Sequence, residues 1–361
     1  MDETETFDRR TILKATGIAG VAGLTGFAGT AGAQGQRLSW HAGGTGGTYF
    51  PLSNEFKTIV EEYTNFTLQV QSTGASVENV GSLANGTADF ALIQNDIASF
   101  AYNGTGIEEF QGNPVENLRG VATLYPETIQ VVTLASSNLS SLSDLQGATI
   151  NTGDLGSGTQ VNALQILDAV GVTDFTEQNA GFSQASDQLR NGDIDAAFVV
   201  GGWPVGAISE LATTNDISIV PISGDSRTQL EEEFSFFADD TIPAGTYNGV
   251  DQDVETIAVQ AMIATRAEES ADTVEQISAA IFDHTDELTI KSEFISTDTA
   301  LDGMSIPLHP GAEAYFGPLP TEGNATGNVT GNVTGNVTGN ATGNETGGNM
   351  TGNATNSTGG N

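Results

Sequence analysis

The sequence predicts an α/β fold of alternating strands and helices around mainly parallel sheets, and three observations carry that prediction. Short apolar runs of strand length alternate with amphipathic stretches from Leu38 to Ala264. Two loops rich in Gly, Ser and Thr, at residues 43–48 and 153–159, each sit between a strand pattern and a helix pattern. The stretch able to fold, residues 34–322, suits two lobes at about 150 residues each. Taken in order, Leu38–Ala42 reads as a strand and Tyr49–Tyr63 as a helix with Leu52, Phe56, Ile59, Val60 and Tyr63 on one face. Phe66–Gln71 alternates like a strand, Ser76–Ala84 reads as a helix, and Ala88–Ile93 as a buried strand. Gly120–Tyr125 and Gln130–Leu134 follow as two strands, and Ala148–Asn151 leads through the second glycine loop into a helix ending near Val170. Ala196–Val200, Ile217–Val220 and Thr256–Ala264 are further strands, before helices expected over Thr273–His284 and Asp286–Phe294.

Both ends are set apart from the folded part. Residues 1–33 carry Arg9-Arg10, then an uncharged Ala/Gly-rich stretch closing in Ala31-Gly32-Ala33, an arrangement that resembles a twin-arginine signal peptide. An exported, extracytoplasmic protein is therefore expected, with no insertion of the mature chain in the membrane. Residues 323–361 hold almost nothing but Gly, Asn, Thr and small residues, and so are expected to stay disordered. Nine Asn-x-Ser/Thr sequons, at Asn324, Asn328, Asn332, Asn336, Asn340, Asn344, Asn349, Asn353 and Asn356, make that tail a candidate for glycosylation.

Charge narrows the function. Against 46 Asp and Glu stand only 10 Lys and Arg, a formal net charge of -36. Such a chain has no clustered cations for nucleic acid or for an anionic membrane surface. So acidic and lysine-poor a surface fits adaptation to molar salt, as in a halophilic archaeon, the alternative being an ordinary acidic secreted protein. With no cysteine and three histidines, neither a metal site nor a cofactor is expected. The glycine loops lack the P-loop and dinucleotide signatures, and residues 74–78 lack the closing glycine of a nucleophile elbow. Asp96, Glu78 and Asp154 have no histidine or metal to work with, so no catalytic residue is expected. What the loops do offer is backbone N–H at helix N-termini, which suits a carboxylate or phosphate.

Six blocks, in order, are similar to the TAXI family of solute receptors that serve TRAP transporters. They are residues 43–52 (GGTGGTYFPL), 72–79 (STGASVEN, with Ala75 where the family more often has glycine), 94–106, 151–159 (NTGDLGSGT), 195–204, and 242–247 followed by 306–313. The resemblance implies a two-lobed, type II periplasmic-binding-protein fold with a hinge. Lobe 1 would hold residues 34–124 and 234–322 and lobe 2 residues 125–233, with Tyr125-Pro126 at the first crossing. It implies a receptor, not an enzyme, that hands a small organic acid or acidic amino acid to TRAP membrane permease subunits. Carried over block by block, the ligand contacts would be Gly46, Gly47, Thr48, Tyr49, Ser72, Thr73, Ser76, Asn79, Gln94 and Asp96 on lobe 1, and Ser157, Gly158, Thr159, Gly201 and Trp203 on lobe 2. Gly47 and Gly158 also fit simple turn roles and Trp203 a core role, while His309 reads as structural. A zwitterionic ligand would look to Asp96, Glu78 or Asp154 for an acceptor. Two other classes remain open on sequence: a cell-surface structural glycoprotein, and an enzyme built on a binding-protein fold.

Overall fold

A computed structural model describes residues 35–319; the twin-arginine segment and the nine sequons lie outside them. The chain opens as β1 (Arg37–His41), α1 (Tyr49–Tyr63), β2 (Thr67–Gln71), α2 (Ser76–Ala84), β3 (Phe90–Gln94) and α3 (Asn95–Asn103). It continues through β4 (Leu118–Leu134), β5 (Thr149–Asn151), α4 (Gly158–Ala169), β6 (Thr176–Gln178), α5 (Phe182–Asn191), β7 (Ala196–Val200), α6 (Gly206–Thr214) and β8 (Ile217–Val220). It closes with α7 (Gly224–Glu233), β9 (Ala238–Ile242), β10 (Val254–Arg266), α8 (Ala271–Phe282) and α9 (Pro310–Phe316).

The strands run in the order β2-β1-β3-β10-β4-β7-β5-β6, with β8 also on β4 and β9 also on β10. β3 and β7 are buried along their whole length, which is why both read as continuous apolar runs with no alternation. Parallel pairing joins β1 to β2 and β3, and β5 to β6 and β7. β10 runs antiparallel to β3, β4 and β9, and β4 antiparallel to β7 and β8. The sheet is thus mixed, a correction to the mainly parallel arrangement expected from sequence. Its cause is that β10 returns antiparallel from β9 without a helix between them and inserts between the parallel strands β3 and β4, while β4 runs on to pair antiparallel with β7 and β8.

Four apolar clusters sandwich this sheet. Trp40, Phe56, Phe90 and Ile277 belong to one, and Val80, Ile93, Ala98 and Met262 to a second, on the side of β1 to β3. Ile150, Ile166, Phe198 and Ile257 form a third, and Leu189, Val199, Ile208 and Tyr247 a fourth, on the side of β5 to β8. The segment from Phe234 to Val259, placed with the first lobe on sequence, packs Phe237, Ile242, Ile257 and Val259 into the third and fourth clusters.

Two further elements differ from expectation. Gly120–Tyr125 and Gln130–Leu134 are parts of one strand: β4 runs unbroken through Pro126, which sits where β10 shifts register between Gln260 and Met262. A proline lacks the N–H of a regular ladder, so it is tolerated at such an irregularity. The helix expected over Asp286–Phe294 is absent; only a single 3₁₀ turn forms at Thr285–Glu287. The N–H groups of Thr289 and Ile290 donate instead to Glu55 of α1, each at 3.1 Å.

His309 is structural, as expected. Its Nδ1 accepts from Gly311 N–H at 3.1 Å to cap α9, and Nε2 lies 3.1 Å from the Glu269 carbonyl. Both bonds hold together only in the neutral ring protonated on Nε2, and burial lowers its pKa. His309→Ala is expected to cost about 2–3 kcal/mol, from the lost cap and the buried partners left behind. Urea unfolding should show that loss while ligand affinity stays within error of the parent.

Candidate functional site

Three helices begin at one place. Thr48 and Tyr49 open α1, Ala75 and Ser76 open α2, and Ser157, Gly158 and Thr159 open α4; all seven line one cavity of about 60 Å3. That is room for roughly four to six waters, or a compact solute in their place. Each helix start presents N–H groups that its own ladder cannot use, and each carries a partial positive charge. Ser157 caps α4 by accepting from Gln160 N–H at 3.1 Å. The N–H groups of Gly158 and Thr159 have no partner among the described residues.

The other wall comes from the strand ends. Gln94 closes β3, while Tyr125 and Glu127 stand on β4 where it passes from one pair of clusters to the other. Glu127 is 3 % exposed, and its Oε1 accepts a hydrogen bond from the Tyr49 hydroxyl. Burial pushes the Glu127 carboxyl up to about 8; the bond from Tyr49 opposes this and the nearby Asp96 adds to it. Tyr49 and Tyr125 are both raised well above an ordinary phenol, by burial and by Glu127. The lining contains Glu127 and Asp154 but no Lys, Arg or His.

The two sides meet around the cavity. Thr48 Oγ1 donates to the Gly202 carbonyl at 3.1 Å, Ala207 N–H to the Gly46 carbonyl at 3.1 Å, and Glu78 N–H to the Gly156 carbonyl at 3.3 Å. Deeper in, Asn162 of α4 donates to Asp96 of α3 at 2.8 Å, both fully buried. Burial raises the Asp96 carboxyl to about 6 against that bond. Gly158 is the tightest point: a Cβ there would run into the Gln94 amide and come within 3.1 Å of Ser76 Oγ.

Of the fifteen residues expected at a ligand, Gly47, Thr48, Tyr49, Thr73, Ser76, Gln94, Ser157, Gly158, Thr159 and Gly201 line the cavity. Five lie behind it. Ser72 donates to the Gly43 carbonyl, and Asn79 to the carbonyls of Ala42 and Leu92, tying α2 to the strand ends. Asp96 is engaged by Asn162, Gly46 packs against Ser183, and Trp203 packs under Lys291. Glu127, Tyr125 and Phe182 line the cavity and were missed. Glu127 had a legible signal, a lone acid between Val121 and Leu134 in an otherwise uncharged run, since unpaired charges are seldom buried without a role.

Ala75 explains a departure seen in sequence. It sits at φ 71°, ψ -139°, a conformation natural to glycine and strained for alanine. Ala75→Gly is expected to relieve about 1–3 kcal/mol of strain and to lose roughly 0.5–1 kcal/mol to chain entropy. A denaturation midpoint raised by about 1 kcal/mol-equivalent with unchanged slope would bear this out; a lowered midpoint would not.

Among solved structures the chain is similar to a putative L-cystine ABC transporter from Listeria monocytogenes, at 14 % identity over 73 % of this chain and 98 % of that one, TM-score 0.43. It is also similar to an alkanesulfonate-binding protein from Xanthomonas axonopodis pv. citri bound to MOPS, at 14 % over 80 % and 86 %, TM-score 0.43. A third is an amino acid ABC transporter substrate-binding protein from Streptococcus pneumoniae bound to L-arginine, at 14 % over 72 % and 92 %, TM-score 0.42. The model of the NMT1-like family matches residues 41–317, from the end of β1 past the end of α9. That span takes in every residue around the cavity and most of the sequence: the chain belongs to the NMT1-like family.

Proposed function

We propose that this chain is an extracytoplasmic solute receptor that encloses a small organic acid or acidic amino acid and passes it to a TRAP-type membrane permease. The observation that carries the reading is the convergence of three helix N-termini on one cavity, where the unpaired N–H groups of Gly158 and Thr159 would meet an anionic group. The six sequence blocks resembling TAXI receptors support it, and so does the family membership. On this reading residues 35–124 with 261–319 form one lobe and residues 129–259 the other, hinged where β4 and β10 pass between them. The bonds from Thr48, Ala207 and Glu78 across the cavity would then be those of the closed form. Arg9-Arg10 would direct export, and the sequon tail would serve as a glycosylated spacer.

A strongly acidic receptor can still take an acid. At about 1 M salt the Debye length is roughly 3 Å, so distant surface carboxylates are screened and the local donors decide. A thermal-shift screen of organic acids and amino acids in molar salt tests the reading, because a ligand at about 100 times its Kd adds roughly 2.7 kcal/mol of stability. Small-angle scattering with the hit should show a smaller radius of gyration on binding. A complete screen without a hit would refute it.

A further inference from the structure

The strand-end wall of the cavity holds buried polar atoms without partners. Gln94 Oε1 and Tyr125 Oη are buried and have no hydrogen-bond partner among the described residues. Glu127 stands beside them in the same lining; it accepts from the Tyr49 hydroxyl, and the Gln94 side chain also acts to hold its carboxyl down. Buried polar atoms are normally satisfied, and exceptions mark places where a partner arrives from outside. The cavity therefore offers the free N–H groups of Gly158 and Thr159, the free Gln94 oxygen close beside Gly158, and the Glu127 carboxyl with the Tyr125 hydroxyl on β4. A ligand carboxylate would satisfy the N–H groups; a second negative charge near Glu127 would oppose its ionisation, with no basic side chain in the lining to offset it, whereas an ammonium would favour it.

We infer that Glu127 is the specificity-determining acceptor for an ammonium group on the ligand, so that the cavity prefers zwitterions to dicarboxylates, and that a proton leaves Glu127 as such a ligand enters. This rests on the receptor reading above. The step balances simply: the neutral Glu127 carboxyl gives its proton to solvent, and the carboxylate formed pairs with the ammonium, which keeps all its own protons.

The surroundings favour a neutral Glu127 when the ammonium is absent. Tyr49 of α1 and Tyr125 of β4 face it as phenols, and Asp96 at the start of α3 is a second buried acid. From β10 the residue opposite Glu127 is Val259, flanked by Gln260. Asp154 lies in the lining on the α4 side. Lys291, behind Trp203, is turned to the Trp203 carbonyl and interacts with Glu293 and Asp240. Burial that lifts the carboxyl to about 8 is the energetic counterpart of this arrangement.

Calorimetry of the full chain in molar salt tests the inference with matched probes: L-glutamate against 2-hydroxyglutarate and glutarate, and L-alanine against L-lactate. The amino member of a pair that binds should be roughly 10- to 100-fold tighter, the effect of one charge-assisted hydrogen bond. Titrations at pH 7 in phosphate and in Tris should differ in heat by the release of about one proton. Affinity for the amino probe should rise with pH from 6 to 8 and flatten above. Glu127→Gln should abolish the proton release and narrow the preference to within about threefold. Tyr49→Phe removes a bond that holds the carboxyl down, so the pH profile should move upward. Hydroxy or dicarboxylate probes binding as tightly as amino probes, or proton release that survives Glu127→Gln, would overturn the inference and leave the receptor standing. Failure of every small acid and amino acid to bind would overturn both.

Discussion

Gly158→Leu is expected to abolish ligand binding while secondary structure survives. The glycine closes the gap between α4 and the end of β3: a single added carbon already meets the Gln94 amide, with Ser76 Oγ 3.1 Å away. Leucine would force those walls apart and fill the cavity. Overpacking alone costs about 1–3 kcal/mol, roughly 5- to 150-fold in affinity, and loss of the cavity adds to that. Thr159→Val is the milder companion. It keeps the shape and removes one hydroxyl, so it should weaken binding by about 0.5–3 kcal/mol, the upper part applying if the acceptor is charged. Circular dichroism checks the fold and calorimetry the affinity. If both variants bind like the parent, the ligand does not sit at the α4 terminus.

The second large effect is a loss of stability on raising pH without ligand. The native Glu127 carboxyl, at about 8 against an ordinary 4.5, holds a proton that the unfolded chain gives up, as does Asp96 at about 6 against 3.8. Wherever the native state binds more protons, stability falls as pH rises. For Glu127 the fall runs from about 4.5 to about 8 and stops there. His309, whose pKa is lowered from 6.5, acts the other way below that value, so the clean window lies above it. Between pH 6.5 and 8.5 the chain should lose about 2 kcal/mol, and Glu127→Gln should flatten the curve. Urea titrations at the two pH values measure this; equal midpoints for the parent would mean that water solvates the carboxylate.

Much of the fold was legible because its signals are local. The runs at β3 and β7, the amphipathic face of α1 and the glycine loops before α1 and α4 each declare themselves within a few residues. What escaped depends on distant partners. Nothing near Asp286 says that Glu55, far back in α1, will take the N–H groups of Thr289 and Ile290. Nothing near Pro126 says that β10 will shift register opposite it. The cavity divides in the same way. The donor side was readable, since N–H groups at helix starts follow from loop patterns. Of the strand-end side only Gln94 was expected; Glu127 shows in the sequence as a lone acid in an uncharged run, but becomes a cavity residue only when β4, α1 and β3 are brought together.

The position of β10 bears on how the molecule comes into being. It lies between β3 and β4, with Met262 beside both Ile93 and Thr123. Until residues 254–266 have been synthesised, β3 and β4 each keep an open edge, the feature that invites chains to pair with one another. Closing contacts so far apart in sequence is also slow. The two ends of β10 complete the apolar clusters on both sides, through Ile257 and Val259 on one and Ala261 and Ile263 on the other. Assembly therefore waits on one late strand, and the protein matures as a whole once translation has passed it, with neither half finished first.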